Sequence, residues 1–510
     1  MESLEYLIKG FSVAFQWHNL LFAFVGVLIG TAVGVLPGIG PMSGVALLIP
    51  ITAMMTGGMP PEHAATSAII LLAGIYYGAM YGGSTTSILL NTPGESSSVV
   101  TTLEGYQMAR QGKAGPALAI AAIGSFVGGL VALAGLVLLS EPLSNVALRF
   151  GPAEYFSLMI LGLFAVSGLA GKSMTKALIM TVFGLLLGTI GVDNVSGVAR
   201  FTFDLPVLYQ GLEFLTVAVG LFALGEVFKT VLLREDAAGK VVQVGRVIPE
   251  RDDLKRSAPS ILRGSLLGFF VGVLPGAGAT MASFFSYILE KKWSKQPERF
   301  GKGAIEGVAG PETANNAASG GALIPLLTLG IPGSGTTAIL LGAFIMYNIQ
   351  PGPLLFDEHP MVAWGLIASM FLGNLMLLIL NLPLVKVFAK IIDTPRRYLL
   401  PIILAISVFG VYAVQINTFD LILLIAFGVI GMVLVRHEYP LAPLVLGLVL
   451  GPMIENNMRR ALTAANGDFM IFLEKPVSLV FLLAALLWLI ASVSLQIRRR
   501  RNSVEIGEER

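Results

Sequence analysis

Gly34-Val35-Leu36-Pro37-Gly38-Ile39-Gly40 returns as Gly272-Val273-Leu274-Pro275-Gly276-Ala277-Gly278, 238 positions later. Each copy lies inside an apolar run. Proline lacks the amide that a helix needs, and glycine tolerates backbone shapes that other residues avoid, so each copy reads as a break in a helix. Further on, Gly82-Gly83 followed by Pro93-Gly94 matches Gly320-Gly321 followed by Pro332-Gly333, at offsets of 238 and 239. Two motif pairs holding register over about sixty residues indicate an internal duplication. A weaker echo pairs Pro152-Ala153-Glu154-Tyr155 with Pro395-Arg396-Arg397-Tyr398, and beyond Gly184 and Gly428 the second half carries an insertion.

The surrounding composition explains where such breaks sit. Of 510 residues, 55% are hydrophobic and 13% charged, with a mean hydropathy of +0.80, whereas soluble domains carry about 25% charged residues. The chain is therefore built for a bilayer. With no cysteine, disulfide scaffolds, thiol catalysis and cysteine-ligated clusters are excluded. The four histidines, His18, His63, His359 and His437, are too scattered for a metal centre. A net charge of +2 gives no reason to expect nucleic acid.

Apolar runs near 20–55, 64–92, 115–140, 153–171, 175–192 and 206–233 precede the one long charge-rich linker, and runs near 260–289, 303–350, 361–392, 398–415, 418–435, 440–454 and 476–497 follow it. Segments of about 20 helical residues cross a hydrocarbon core. The expected organisation is an interfacial N-terminal helix at 1–19, a transmembrane repeat at 20–233, a cytoplasmic linker at 234–259, a second repeat at 260–497 and a cytoplasmic tail at 498–510. In the first segment Leu4, Leu7, Ile8, Phe11 and Phe15 share one helical face.

Basic residues then orient the halves. Arg110/Lys113 and Lys172/Lys176 mark basic loops of the first half, and the 56–63 loop has neither Lys nor Arg. In the second half, Lys291, Lys292, Lys295, Arg299 and Lys302 crowd the counterpart of 56–63, while Asp357-Glu358-His359 replaces Arg110/Lys113. Positive-inside bias places equivalent loops on opposite faces. The expected fold is an all-α polytopic membrane protein with two inverted-topology repeats, containing broken helices or re-entrant hairpins. Run 260–289 divides at its break into pieces of about 13 residues, too short to span alone, and run 20–55 is broken likewise at Pro37-Gly38; a re-entrant hairpin and a single tilted, kinked helix both remain open.

Irregular backbone at membrane depth persists only where protein buries it or water reaches it, and half-helix N-termini attract anions. Four polar stretches supply the chemistry: 82–87, 91–98, 311–321 and 328–337, each read as a break. The expected substrate-binding residues are Pro37, Gly38, Gly40, Gly83, Ser84, Thr85, Thr86, Asn91, Pro93, Gly94, Pro275, Gly276, Gly278, Ser319, Gly320, Gly321, Pro332, Gly333 and Ser334. Glu95, Glu306 and Glu312 are carboxylates within or beside these stretches, where charge is costly and so functional. Glu312, Asn315, Asn316 and Thr336 are the expected ion-coupling residues, with sodium or a proton as the ion; the rival role for Glu312 is capping a half-helix.

The runs GVLPGIGP, YYGAMYGGSTTSILLNTPGE, EGYQMARQGKAGPAL, GVLPGAGA and GVAGPETANNAASGGALIPLLTLGIPGSGTTAILLGAF resemble the large membrane subunit, TctA, of the tripartite tricarboxylate transporters. The similarity spans nearly the whole chain. It implies a gradient-driven secondary transporter of a bacterial inner membrane, taking up citrate or a related carboxylate. The implied partners are a small four-helix membrane subunit and a periplasmic solute-binding protein.

Other functions lack their motifs. Gly276-Ala277-Gly278 and Gly38-Ile39-Gly40 begin like a dinucleotide fingerprint, but no strand precedes them. Gly171-Lys172-Ser173 ends like a P-loop, yet Val166 stands where its first glycine belongs. A passive channel is disfavoured, since the breaks hold no ring of like charges. The alternative reading, a membrane-embedded enzyme or lipid-handling protein, needs a paired acid and base or a metal cluster, and no such spacing is present. No cofactor is expected.

Overall fold

The computed structural model describes residues 2–36, 40–169, 173–193, 195–232, 242–276, 278–391 and 396–508. Pro37, Gly38, Gly171, Lys172, Ala277, Pro395 and the 234–241 part of the linker lie outside the described residues. The first half runs through α1 (Glu2–Ala14), α2 (Trp17–Gly34), α3 (Gly40–Thr56), α4 (Pro61–Leu90), α5 (Val99–Arg110), α6 (Ala114–Ala147), α7 (Pro152–Leu169), α8 (Met174–Leu187) and α9 (Phe214–Leu232). The second half continues with α10 (Arg251–Val273), α11 (Gly278–Trp293), α12 (Glu306–Gly321), α13 (Leu323–Leu329), α14 (Gly335–Met346), α15 (Pro360–Asn381) and α16 (Val385–Ile391). It ends in α17 (Arg396–Gln415), α18 (Thr418–Arg436), α19 (Leu441–Ala464) and α20 (Pro476–Glu508). Among the described residues the only sheet is a two-stranded hairpin, Gly191–Val192 against Ala199–Arg200.

Eight of these helices, α2, α4, α6, α9, α15, α18, α19 and α20, are long and apolar enough to cross a membrane. The protein is an all-α, multi-pass membrane protein. At the boundaries, α10 starts at Arg251, inside the charge-rich linker, because Glu250 and Asp253 form a reciprocal capping box. α20 continues as helix to Glu508. α1 stacks Tyr6 on Trp364 with ring centroids 5.9 Å apart, and its Gly10 lies against the Trp364 carbonyl.

Glycine dictates the central packing. On α2, Gly26, Gly30 and Gly34 recur every fourth residue, one face of the helix. A Cβ at these positions would lie 2.5, 2.4 and 2.2 Å from the carbonyl oxygens of Leu71, Ile75 and Ala79 on α4. Gly264, Gly268 and Gly272 on α10 stand likewise 2.5, 2.3 and 2.4 Å from the carbonyls of Gly310, Ala314 and Ala318 on α12. Only hydrogen fits between these backbones, which is how helices pack in lipid without a hydrophobic driving force. Both ladders rise together in number, so α2 runs parallel to α4, and α10 to α12.

That direction fixes the shape of the breaks. α3 starts beside Gly94 and Glu95, and Thr56 at its end precedes the start of α4 by a short turn. α2 and α3 therefore enter and leave at the same end of α4 and form a hairpin. α10 and α11 do the same, and their open ends are tied together by Arg263 Nε on Glu290 Oε1 at 2.8 Å and Ser260 Oγ on Glu290 Oε2 at 2.6 Å. The legs are longer than the sequence suggests: 18 and 17 residues in one hairpin, 23 and 16 in the other. The disruption begins at Val35 and at Leu274, where α2 and α10 end, and helix resumes at Gly40 and at Gly278.

Two expected breaks are not breaks. Residues 82–87 are helical within α4, and 311–321 are helical within α12. Their hydroxyls bond back to the preceding turn, Ser87 Oγ to Gly83 O at 3.0 Å and Thr313 Oγ1 to Ala309 O at 2.7 Å, so polar residues ride on intact helix. The real interruptions are 91–98 and 330–334, where Asn91 and Gly330, at equivalent positions, both end a helix in the left-handed conformation.

Gly30→Leu and Gly268→Leu should each lower thermal stability by the upper end of the about 1–3 kcal/mol that overpacking costs, or more. Gly245→Leu, with nothing within 4 Å of its Cβ, should leave it unchanged. Melting curves and size-exclusion profiles in detergent check both.

Candidate functional site

Four helix N-termini meet where the breaks converge. A Cβ on Gly40, the first residue of α3, would lie 3.7 Å from the Gly94 carbonyl and 3.9 Å from Glu95 Cβ. Ser96, in the short turn leading into α5, is 2.9 Å from Thr280 Oγ1 in the first turn of α11. The opening Gly278 of α11 would place a Cβ 4.0 Å from Ser334 Cβ, and Ser334 caps α14. Gly335 of α14 then abuts Met42 of α3, closing the ring. Each terminus carries about half a positive elementary charge in its unpaired amides.

The ring repeats in its details. Glu95 and Ser98 form a capping box on one side, Ser334 and Thr337 the equivalent box on the other. Gly40 and Gly278 share φ +60, a conformation that favours glycine, and a Cβ at either would meet nothing closer than 3.7 Å. At both, a Cβ would sit in ordinary contact with its neighbours and without a clash. Gly276 is different: its amide donates to Gly333 O at 3.0 Å, and a Cβ there would lie 2.3 Å from the Ala165 backbone of α7. Backbone of α7, rather than open space, lies against it.

Across the ring stand the carboxylates. Glu312 is fully buried, six residues inside α12 from its first, so it is not a helix cap. It accepts from Ser84 Oγ on α4 and from Thr101 Oγ1 on α5. Among the described residues no Lys, Arg or His pairs with it. One turn on, Asn315 Nδ2 donates to Glu95 Oε1 at 3.2 Å, and Asn316 Nδ2 donates to Ser125 Oγ at 2.7 Å. The carbonyl oxygens of both asparagines are buried without a partner.

The other expected residues fall as follows. Gly83 packs on the Glu95 side chain, and Gly94 on Gly34, Gly83 and Thr86. Gly320 faces the Tyr77 hydroxyl and Ala132, and Gly321 faces Gly272 and Phe269. Ser319 and Ser334 face the Tyr76 hydroxyl. Thr85 is buried and lines a small cavity. Gly333 packs on Ala322, with Pro332 beside it in the loop, and Pro93 and Pro275 are half-buried in their own loops. Asn91 is exposed at its helix end, and no contact joins it to the ring. Thr336 is buried in the first turn of α14 without a hydrogen bond to Glu312. Glu306 is held by Arg256 through Nε at 2.9 Å and Nη2 at 2.8 Å, an ordinary ion pair.

Sequence reasoning missed three groups. Thr101 and Ser125 are the partners that hold Glu312 and Asn316. Glu104, fully buried on α5, accepts from Tyr287 Oη at 2.8 Å and from the amides of Gly301, Gly303 and Ala304, fastening the first half to the α11–α12 connection. The signal was a lone glutamate in the quoted run EGYQMARQGK. A further cavity of about 330 Å³ lies by the 191–200 hairpin, lined by Asp193, Arg200, Glu455 and Arg459. Its charges cancel: Arg459 meets Asp193 at 2.6 Å, and Arg200 meets Glu455 at 2.8 Å. The amides of Ser196 and Val195, then Arg459, hold the Asp193 carboxyl down to about 2. Its contribution to the hairpin is thus complete above the usual aspartate range and is lost only as pH falls towards that value.

Gly278→Ala should cost about 1–2 kcal/mol of backbone strain and cut substrate uptake while leaving the membrane level of the protein intact. Gly276→Val should instead reduce folded protein, because the clash is with α7. Immunoblots of membranes beside uptake assays separate the two.

The comparisons agree with this architecture. A family model described as "Tripartite tricarboxylate transporter TctA family" matches residues 20–446. An Agrobacterium vitis protein described as an uncharacterized 52.8 kDa protein in the TAR-I ttuC' 3' region is 46% identical over 509 residues, covering all of both chains. A second, from the TAR-II ttuC' 3' region of the same organism, is 46% identical over 242 residues, 48% of this chain and all of that one. No solved structure matches the chain. Two breaks in register, paired hairpins and a match over most of its length make this chain a member of the TctA family of tripartite tricarboxylate transporters.

Proposed function

We propose that this protein is the permease subunit of a binding-protein-dependent secondary transporter that takes up a small organic anion, a tricarboxylate or related carboxylate, coupled to sodium or protons. The observation that carries the reading is the ring of four helix N-termini, lined by Gly40, Gly278 and hydroxyls. Such amides bind carboxylates without needing a basic residue. The family supplies the remainder: a small four-helix membrane subunit, a periplasmic solute-binding protein and the bacterial inner membrane.

Coupling rests on Glu312. A carboxylate removed from water with no basic partner is stable only when it holds a proton or a cation. Alternating access is supported by the geometry of α4 and α12. Ser84 meets Glu312, and Tyr77 meets Gly320, so number falls on one helix as it rises on the other. Equivalent helices of the two halves are antiparallel, as inverted repeats require.

Uptake of labelled citrate into proteoliposomes holding this chain, the small subunit and a binding protein should follow an imposed sodium or proton gradient and persist without ATP. Uptake that survives collapse of both gradients and stops on ATP depletion would overturn the reading. In the same assay Glu312→Gln should alter the ion dependence of uptake more than the apparent substrate affinity.

Topology is tested separately. Arg110 and Asp357 are exposed, lie in corresponding loops and have no native cysteine to confuse labelling. Single cysteines there should react with an impermeant maleimide from opposite faces, with position 110 cytoplasmic. Labelling of both from one face of intact cells contradicts the inverted repeat.

A further inference from the structure

Glu312 has two sides. Its Oε1 meets Thr101, beside the ring, and Asn315 one turn on reaches Glu95, which belongs to the ring. Its Oε2 meets Ser84, and Ser84 lines a separate cavity of about 10 Å³, the room of one water. That cavity is enclosed by the last turns of α4, the first turns of α6 and the junction of α15 with α16, and its polar lining is Tyr81, Ser84, Thr85, Ser125 and Asn381. Ser125 is also the partner of Asn316, whose carbonyl oxygen is buried and unpartnered. The elements around it carry Lys113, Lys386 and Lys390 at their near ends, the basic side of the protein.

We propose that Glu312 exchanges a proton with this basic side through the cavity, by way of one water and the Ser84 hydroxyl, along a route separate from the substrate ring. The inference rests on the coupling role of Glu312. In the relay Ser84 Oγ gives its hydrogen to the Glu312 carboxylate and takes one from the water, and the water takes in turn a proton arriving from the basic side past Asn381, so that one proton enters and water and hydroxyl are restored; release is the reverse, and no bond to carbon changes. A space for one water transmits a proton as charge along hydrogen bonds, whereas a sodium ion must bring its own volume and a shell of several oxygen ligands. The cavity therefore selects the proton.

Other ionisable groups on the elements around α12 do not offer the same path. Tyr81 of α4 lines the cavity too, but its hydroxyl donates to Asn374 Oδ1 at 2.6 Å and not to Glu312; Tyr76 and Tyr77 of α4 and Glu95 of the 91–98 segment do not line it. Glu104 of α5 is held by three amides and Tyr287 of α11; Glu290 of α11 is held by Arg263 of α10; Glu306 is held by Arg256 of α10. The facing stretch of α6 supplies only Ser125.

The test needs no substrate. Infrared spectra of the full chain in lipid bilayers, followed after a pH jump, report the protonated-carboxyl band that disappears in Glu312→Gln. Ala122→Leu fills the cavity without replacing any hydrogen-bond partner of Glu312, and should slow the appearance of that band about a hundredfold, the low end of what a positioned proton relay contributes. Asn381→Leu should slow it as well. Gly373→Ala, which narrows a second cavity of about 10 Å³ beside Tyr77, should leave the rate unchanged. Melting curves identify any variant that fails to fold, and the other cavity variant then decides. A wild-type rate in folded Ala122→Leu and Asn381→Leu overturns the route, and so does a band that responds to sodium and not to pH. Either result leaves gradient-driven uptake standing, because that is read in the proteoliposome assay.

Discussion

Backbone contact at glycine is the constraint on which the rest depends. α2 and α4 approach until the carbonyls of Leu71, Ile75 and Ala79 lie where side chains would be. α10 and α12 repeat the arrangement with Gly310, Ala314 and Ala318. Helices packed that closely are held in register to within a turn, since a shift of one residue puts a Cβ against a carbonyl. Register then sets where each hairpin turns back. Because Gly34 must meet Ala79, α2 ends beside Gly82, and the returning helix α3 opens beside Gly94. The same sequence of consequences in the second half opens α11 beside Ser334.

The scaffold is made twice but the chemistry only once. Counting by the offset of the later motif, Glu312, Asn315 and Asn316 correspond to Ala73, Tyr76 and Tyr77. Glu95 corresponds to Ser334. All of them are positioned by the same ladders, yet one half contributes the buried carboxylate and two amides while the other contributes two phenols and the hydroxyl, Ser84, that meets the carboxylate. Duplication thus yields a symmetric ring of N-termini with an asymmetric flank. The asymmetry gives Glu312 two unlike surroundings, one towards the ring and one towards the basic side.

Much of this was legible in the residues, and the remainder was hidden for identifiable reasons. Pro-Gly pairs and charge reversal between equivalent loops pointed to duplicated, broken helices because proline and charge act locally. The polar runs at 82–87 and 311–321 looked like breaks because hydroxyl, amide and glycine residues disfavour isolated helices. Tertiary packing reversed that preference: glycine there is contact surface, and the hydroxyls bond to their own helix. The ladders themselves were visible as Gly26, Gly30, Gly34 and Gly264, Gly268, Gly272, a spacing of four that was read only as general glycine richness. Glu104, Thr101 and Ser125 could not be ranked from sequence, because their importance lies in partners more than 180 positions away.

If the ring admits a carboxylate as proposed, electrostatics ties that anion to a cation at Glu312. Four N-termini at about half a charge each offset roughly two negative charges. Glu95, which accepts from Asn315, and Glu312, one turn before Asn315 on α12, already supply two if both are ionised. A carboxylate substrate entering the ring would add more, in surroundings where water does little to screen it. Neutralising Glu312 with a cation therefore lowers the cost of admitting the anion, and the anion in turn strengthens the hold on the cation. Reciprocal stabilisation of this kind is thermodynamic coupling, and here it follows from placing a buried carboxylate, with no basic residue paired to it, one helical turn from the residue that contacts the ring.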